Sequence, residues 1–236
     1  MTAANQETIA SFHLVRYADA GGMRHMAFDR PVLRRTGGLL FHRLLGTGRG
    51  DSMSLGADLR RWALFAVWRE EADLAAFLDG SPVARGWRRE AAESWHVRLT
   101  PLAWRGRWGG RDPFAGAARP PRPAAGEGPV AVLTRASIRP SRLVAFYRAV
   151  PRVDRLLAGQ PGCLASVGVG EWPLARQATF SLWRDAGAVD GFAYRGAAHR
   201  EVIGRVRGED WYAEELFARF RPFASAGAWN GADPLT

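Results

Sequence analysis

The chain contains no lysine. All 33 of its basic residues are arginine, set against 23 acidic ones, for a formal charge of +10. That charge invites a nucleic-acid partner. The arginines, however, run the whole length and alternate with acids, as in RREAAES and VRGED, whereas phosphate-tracking proteins gather charge into a patch or tail. Alongside abundant Ala and Gly, arginine-only usage reads as codon bias, and no nucleic-acid partner is expected. Cysteine is nearly absent too: Cys163 alone, in the strand-like run GCLASVGV, excludes an internal disulfide and any thiolate cluster. No run approaches the roughly 18 apolar residues of a membrane span, so no transmembrane segment is expected, while peripheral contact with an acidic surface stays compatible with the charge. MTAANQETIASF has neither the basic start nor the apolar block of a secretion signal, which makes cytoplasmic the expected location. HExxH, CxxC, Walker A and nucleophile-elbow patterns are all missing. GTGRGDS (46–52) has the glycines of a phosphate loop without its lysine or its helix, and reads as a turn.

With 236 residues, 47 % of them hydrophobic, the chain can bury one large core or two small ones. Its order supplies the detail. Strand patterns at Ile9–Tyr17, Leu39–Leu45, Trp62–Trp68 and 94–102 are separated by helical patterns at Met23–Arg35, Glu70–Leu78 and Val83–Ala92. Strands at Val130–Ile138, Cys163–Val169, Gln177–Trp183 and Trp211–Phe223 then repeat the order, with helical stretches after the first and third. LFAVWREEADLAAFLDG lies on TFSLWRDAGAVDGFAYR at a constant offset of 115, aligning Phe65 with Phe180, Trp68 with Trp183 and Phe77 with Phe192. A repeat this long means two copies of a domain. Strand, helix, strand, strand, helix, strand is the ferredoxin-like (βαββαβ) order, so the expected fold class is α+β. Each copy has a bare sheet face to bury, and two copies would form a pseudo-dimeric α+β barrel. The expected boundaries are 8–103, a Pro/Gly/Ala-rich linker over 104–128, and 129–224.

Within the helical segment 197–207, His199 shares a face with Val202, Ile203 and Val206, while Arg200, Glu201, Arg205 and Arg207 fall elsewhere. A histidine turned into a core is either a hydrogen-bonded filler or a ligand. Under the repeat offset it aligns with Ala84, and such asymmetric positions are where function is added to a shared fold. His13, His42 and His96 lie in strands of the first copy, where packing is the simpler role. With one well-placed histidine and no carboxylate or cysteine cluster, a zinc site wanting three or four ligands is hard to build. A haem needs only one protein ligand, because the porphyrin supplies four.

TRASIRP (134–140), GVGEWP (168–173), QATFSLWRD (177–185), the G-x-x-H of Gly196 and His199, WYAEELFARF (211–220), ESW (93–95) and RGRWGGRDPF (105–114) together resemble the spheroidene monooxygenase family over nearly the whole chain. The resemblance implies a haem-containing, oxygen-using enzyme acting on a hydrophobic, carotenoid-like or secondary-metabolite substrate and served by an electron donor. It implies a dimeric α+β-barrel fold, shared with chlorite dismutases and aldoxime dehydratases, in which haem b iron hangs from a helix histidine of the C-terminal copy, the place of His199. Arg135, on the opening strand of that copy, is then a candidate catalytic, distal or propionate-binding arginine, its alternative being an exposed strand-end residue. Gln177, Thr179 and Ser181 share a strand face and could add polar contacts. Two other classes compete: a haem enzyme of non-oxygenase type, dehydrating as aldoxime dehydratase does or coupling nitrogen groups, and a cofactor-free barrel binding a hydrophobic small molecule. Monomer and homodimer both remain open.

Overall fold

In the computed structural model, which describes residues 7–48, 56–120, 126–148, 157, 159–172, 176–192 and 210–236, eight antiparallel strands close into one barrel. The first repeat runs β1 (Ile9–Tyr17), a 3-10 turn (Ala20–Arg24), α1 (His25–Arg34), β2 (Leu39–Gly48), β3 (Ala57–Trp68), α2 (Glu71–Gly80), α3 (Pro82–Glu90) and β4 (Ala91–Gly106). The second runs β5 (Val130–Ile138), a short helical stretch (140–148), β6 (Cys163–Trp172), β7 (Arg176–Trp183), α4 (Ala186–Asp190) and β8 (Tyr212–Gly227). Around the barrel the order is β1-β3-β2-β6-β7-β5-β8-β4. The repeats meet edge to edge at two seams. The long one pairs β4 with β8, from Trp95 opposite Gly227 to Gly106 opposite Leu216, and the short one pairs β2 with β6 at Gly46 and Thr47.

Because a strand alternates its side chains, each has an inward and an outward set. In β1, Ala10, Phe12 and Leu14 point into the barrel while Ser11, His13 and Val15 point outward, and all six are buried. Burial on both faces explains why IASFHLVRY lacks a polar/apolar alternation: helices of the same repeat cover the outside. The inside is filled with side chains, centred on Phe12 stacked on Phe180 at 3.9 Å between ring centroids. On the outside, α2 and α3 press Leu74, Phe77 and Val83 onto Leu64, Ala66 and Trp68. Ser81 starts α3, its hydroxyl accepting from the Ala84 N–H at 3.0 Å with Pro82 in the first turn.

The register makes the duplication exact enough to compare position by position. His13 pairs with Leu64 as Thr134 pairs with Thr179, and Leu44 pairs with Leu64 as Gly168 pairs with Thr179. It also extends past the strands. β4 and β8 both end in G-x-W-x-G-x-D-P, at Gly106–Pro113 and Gly227–Pro234, and each copy folds into the same turn. Trp108 N–H donates to the Arg111 carbonyl and Trp229 N–H to the Ala232 carbonyl, both at 2.8 Å. Gly106 and Gly227 open the turns at φ of 90° and 92°, where an added Cβ would lie 2.1 and 2.0 Å from a backbone oxygen of the facing strand, so glycine is required. The stretch expected as a linker is therefore partly core: Trp108 and Phe114 are each 1 % exposed inside the barrel.

Candidate functional site

The two outer faces, superimposable in register, differ in bulk. Across the middle of the first repeat's face runs the row Leu44, Leu64, His13; the second repeat has Gly168, Thr179, Thr134. In the adjacent row Trp62 and Val15 become Gln177 and Ala136. On the other side Ala66 and Ser11 become Ser181 and Val132, with little net change. Phe77 and Trp87 of the helices reach His13, at 6.3 and 5.1 Å between ring centroids, and leave it 1 % exposed. Its counterpart Thr134 is exposed. Over those first two rows the second face is shorter by roughly fifteen heavy atoms, whereas packed protein leaves few voids larger than a water. We call this less bulky strip of the strand face the cradle; on it Gly168 is buried, Thr179 half-buried and Thr134 exposed. One flank is apolar, built from Val130, Val132, Trp183 and Val189. At the other, Gln177 Nε2 donates to the Tyr147 hydroxyl at 3.2 Å, and burial raises the pKa of that phenol.

The expected polar set Gln177, Thr179 and Ser181 does share this face, although the Ser181 hydroxyl is already taken by Trp183 Nε1 at 2.9 Å. His199 and Gly196 lie outside the described residues. The position aligned with His199 in the first repeat, Ala84, is buried on α3 at 2 % exposure. Among the described residues no group of three His, Cys, Asp or Glu side chains could hold a metal ion. His13 sits with Nε2 2.8 Å from the Ser11 hydroxyl, and burial, then the neighbouring His96 and Arg98, keep its pKa well below the usual value.

Arg135 is neither at a strand end nor on the cradle. Its strand neighbours Leu133, Leu216 and Ala178 are barrel interior, and it points inward with them at 3 % exposure. There it pairs with Glu214, lies 3.7 Å from Glu171, and sits with its guanidinium carbon 5.7 Å from the centre of the Trp108 ring. Glu171 also takes Trp108 Nε1 at 2.8 Å and an ion pair from Arg43 at 2.8 Å. Glu214 accepts the N–H groups of Gly109 and Gly110 at 2.8 and 2.6 Å. Burial pushes the Glu214 carboxyl up, but those N–H groups and the Arg135 charge outweigh it and hold it below the ordinary carboxylate range. The network thus fastens the first repeat's turn to the second repeat. At the opposite end Glu93 accepts from Asn230 and Gly231 at 3.0 and 2.7 Å, with Leu14 in place of Arg135. Glu171, Glu214 and Trp108 went unassigned from sequence, although all three stand in the motif stretches GVGEWP, WYAEELFARF and RGRWGGRDPF.

No family model matches the sequence. Spheroidene monooxygenase of Rhodobacter capsulatus is 35 % identical over 231 residues, 96 % of this chain and 95 % of the relative. The enzyme of that name from Rubrivivax gelatinosus is 38 % identical over 209 residues, covering 88 % and 78 %. Among solved structures, an aldoxime dehydratase superimposes with a TM-score of 0.62 at 13 % identity over 94 % of this chain and 83 % of its own. A second, aldoxime dehydratase OxdRE in complex with butyraldoxime, gives 0.60 at 11 % identity, covering 94 % and 81 %. These two likenesses concern the fold.

Proposed function

The chain belongs to the spheroidene monooxygenase family, and from that premise we propose that it inserts oxygen into a carotenoid-like hydrophobic substrate using haem b held on the outer face of β6, β7 and β5. The observation that carries the cofactor is the cradle: Gly168, Thr179 and Thr134 stand where the first repeat fills the same space with Leu44, Leu64 and His13. Removing bulk from one of two duplicated faces fits a flat guest seated on it. His199 would hold the iron, since its aligned position Ala84 is buried on the helix over the first sheet. When bound, the haem supplies the oxygen chemistry through its iron.

The chain's own residues bind and shield. Val132, Trp183 and Val189 give an apolar wall that keeps water from the guest. Tyr147, bonded to Gln177, keeps its proton on the phenol oxygen and can donate it at the cradle's polar edge. Arg135 faces the opposite side of the sheet and serves the site by fixing β5 against β8. A separate electron donor and a cytoplasmic location complete the reading.

The test is an absorption spectrum of protein made with ample haem. We expect a histidine-ligated Soret band and one haem per chain by pyridine haemochrome assay. His199→Ala should lose both while keeping the fold, because the first repeat already carries alanine at the matching site. A wild-type protein without a Soret band would instead make this a cofactor-free barrel, and turnover without oxygen or electrons would point to dehydration. A spectrum unchanged in His199→Ala would put the ligand elsewhere.

A further inference from the structure

Helix α1 wears its pattern inside out. Its one acid, Asp29, is 7 % exposed and faces the barrel with Leu33, while Phe28 beside it is 71 % exposed. At about 100° per residue, Phe28 and Pro31 share the outward half of the helix with Arg30, Arg34 and Arg35, all exposed. Met23, 48 % exposed, extends this face over the preceding turn. Those three arginines have no ion-pair partner among the described residues, and no carboxylate is exposed along the helix. We infer that this face of α1 docks the protein on an anionic lipid bilayer, with Phe28 and Met23 entering the acyl boundary and the arginines lying at the phosphates.

Charge complementarity selects that occupant. A second copy related by a two-fold axis would bring Arg30, Arg34 and Arg35 against themselves, with no exposed acid on the helix to neutralise them. A nucleic acid would satisfy the arginines but leave Phe28, Pro31 and Met23 facing phosphate and water. A bilayer bearing acidic headgroups accepts both classes at once, since long basic side chains keep their charge at the interface while apolar neighbours sink below it. The inference rests on the face of α1 alone and is independent of the cofactor and the reaction.

Flotation of the full chain tests it, with vesicles of phosphatidylcholine alone or with about 30 % phosphatidylglycerol, at ~0.1 M salt where surface charge is only partly screened. Binding to the acidic vesicles should exceed binding to the neutral ones by about tenfold or more, since each arginine near such a surface contributes about fivefold. Arg34→Glu with Arg35→Glu should lower it by about twenty-five-fold or more, and Phe28→Ser separately by about tenfold, neither moving the thermal midpoint, because all three positions are exposed. Phe223→Ser, at a 41 % exposed site on β8, should leave binding unchanged. Failure of the wild type to float with acidic vesicles would overturn the inference, as would helix variants that float like the wild type. So would Phe28→Ser dissolving a dimer with no loss of lipid binding, which would make the face a contact between copies.

Discussion

Replacing Glu214 by glutamine should cost far more than replacing its counterpart Glu93. Both carboxylates clamp two consecutive N–H groups, of Gly109 and Gly110 in one case and Asn230 and Gly231 in the other. An amide keeps one acceptor and turns a donor toward the other N–H, so each clamp should lose about 1–2 kcal/mol. Glu214 has the additional task of neutralising Arg135, which is 3 % exposed, and stripping a buried charge of its partner costs about 3–5 kcal/mol. Glu171, 3.7 Å from the same guanidinium, recovers part of that. We therefore expect Glu93→Gln to cost about 1–2 kcal/mol and Glu214→Gln at least ~2 kcal/mol more. Adding Arg135→Leu, the residue type of position 14 in the first repeat, should bring Glu214→Gln back to within ~1 kcal/mol of Glu93→Gln, because the orphaned charge is gone. The measure is urea unfolding, with an unchanged denaturant slope confirming that only stability moved. Equal costs for the two single variants, or a double variant no better than Glu214→Gln, would refute the reasoning. Acid should shrink the gap. The folded pKa of Glu214 lies below its unfolded value, so its contribution is full above about pH 4.3 and fades as pH falls further.

Refilling the cradle should expel the cofactor without unfolding the barrel: Gly168→Leu with Thr179→Leu restores the packing of Leu44 on Leu64, and the Soret band should fall by about tenfold while the far-ultraviolet circular dichroism stays native. A full haem complement in that variant would place the cofactor elsewhere. Burial, helped by neighbouring charges, lowers the pKa of His13 strongly and those of His42 and His96 as well. The unfolded chain therefore takes up protons that the folded one refuses, and stability should drop as pH falls below about 6.5, by up to ~1.4 kcal/mol per pH unit for each histidine kept neutral. Unfolding midpoints between pH 7 and 5 check this, and His13→Gln should flatten the slope.

Strands β1 and β5 were legible to the residue, since each is a short apolar run stopped by polar or proline-containing sequence. β4 and β8 were read too short. The expected strands stop one residue beyond Pro101 and Pro222, yet both prolines sit where the β4–β8 register slips, and a bulge there tolerates the missing N–H so that pairing continues. Composition misled over 104–128, where Pro, Gly and Ala announced a tether and hid two buried aromatics. The 121-residue spacing of the two G-x-W-x-G-x-D-P turns was present in the sequence, but the offset of 115 taken from β3 and β7 does not align them. Alternation along β5 places Arg135 beside Leu133 on the core face; the general preference of arginine for water argued the other way. The cradle needed the register of six strands before Gly168 and Thr179 could be set against Leu44 and Leu64.

The reciprocal turns also impose an order on synthesis. Trp95, in the first repeat, donates its indole N–H to Asp233 at 3.0 Å and packs on Trp229 at 5.3 Å, and Glu93 waits for Asn230 and Gly231. The half of the barrel that leaves the ribosome first is thus sealed by residues that leave after the second half is complete. Until β8 has emerged, β4 presents an unpaired edge, and until Asp233 follows it the indole of Trp95 lacks its acceptor. Nascent chains that have not yet released β8 should be held by chaperones or aggregate, whereas chains released whole should close the barrel on themselves.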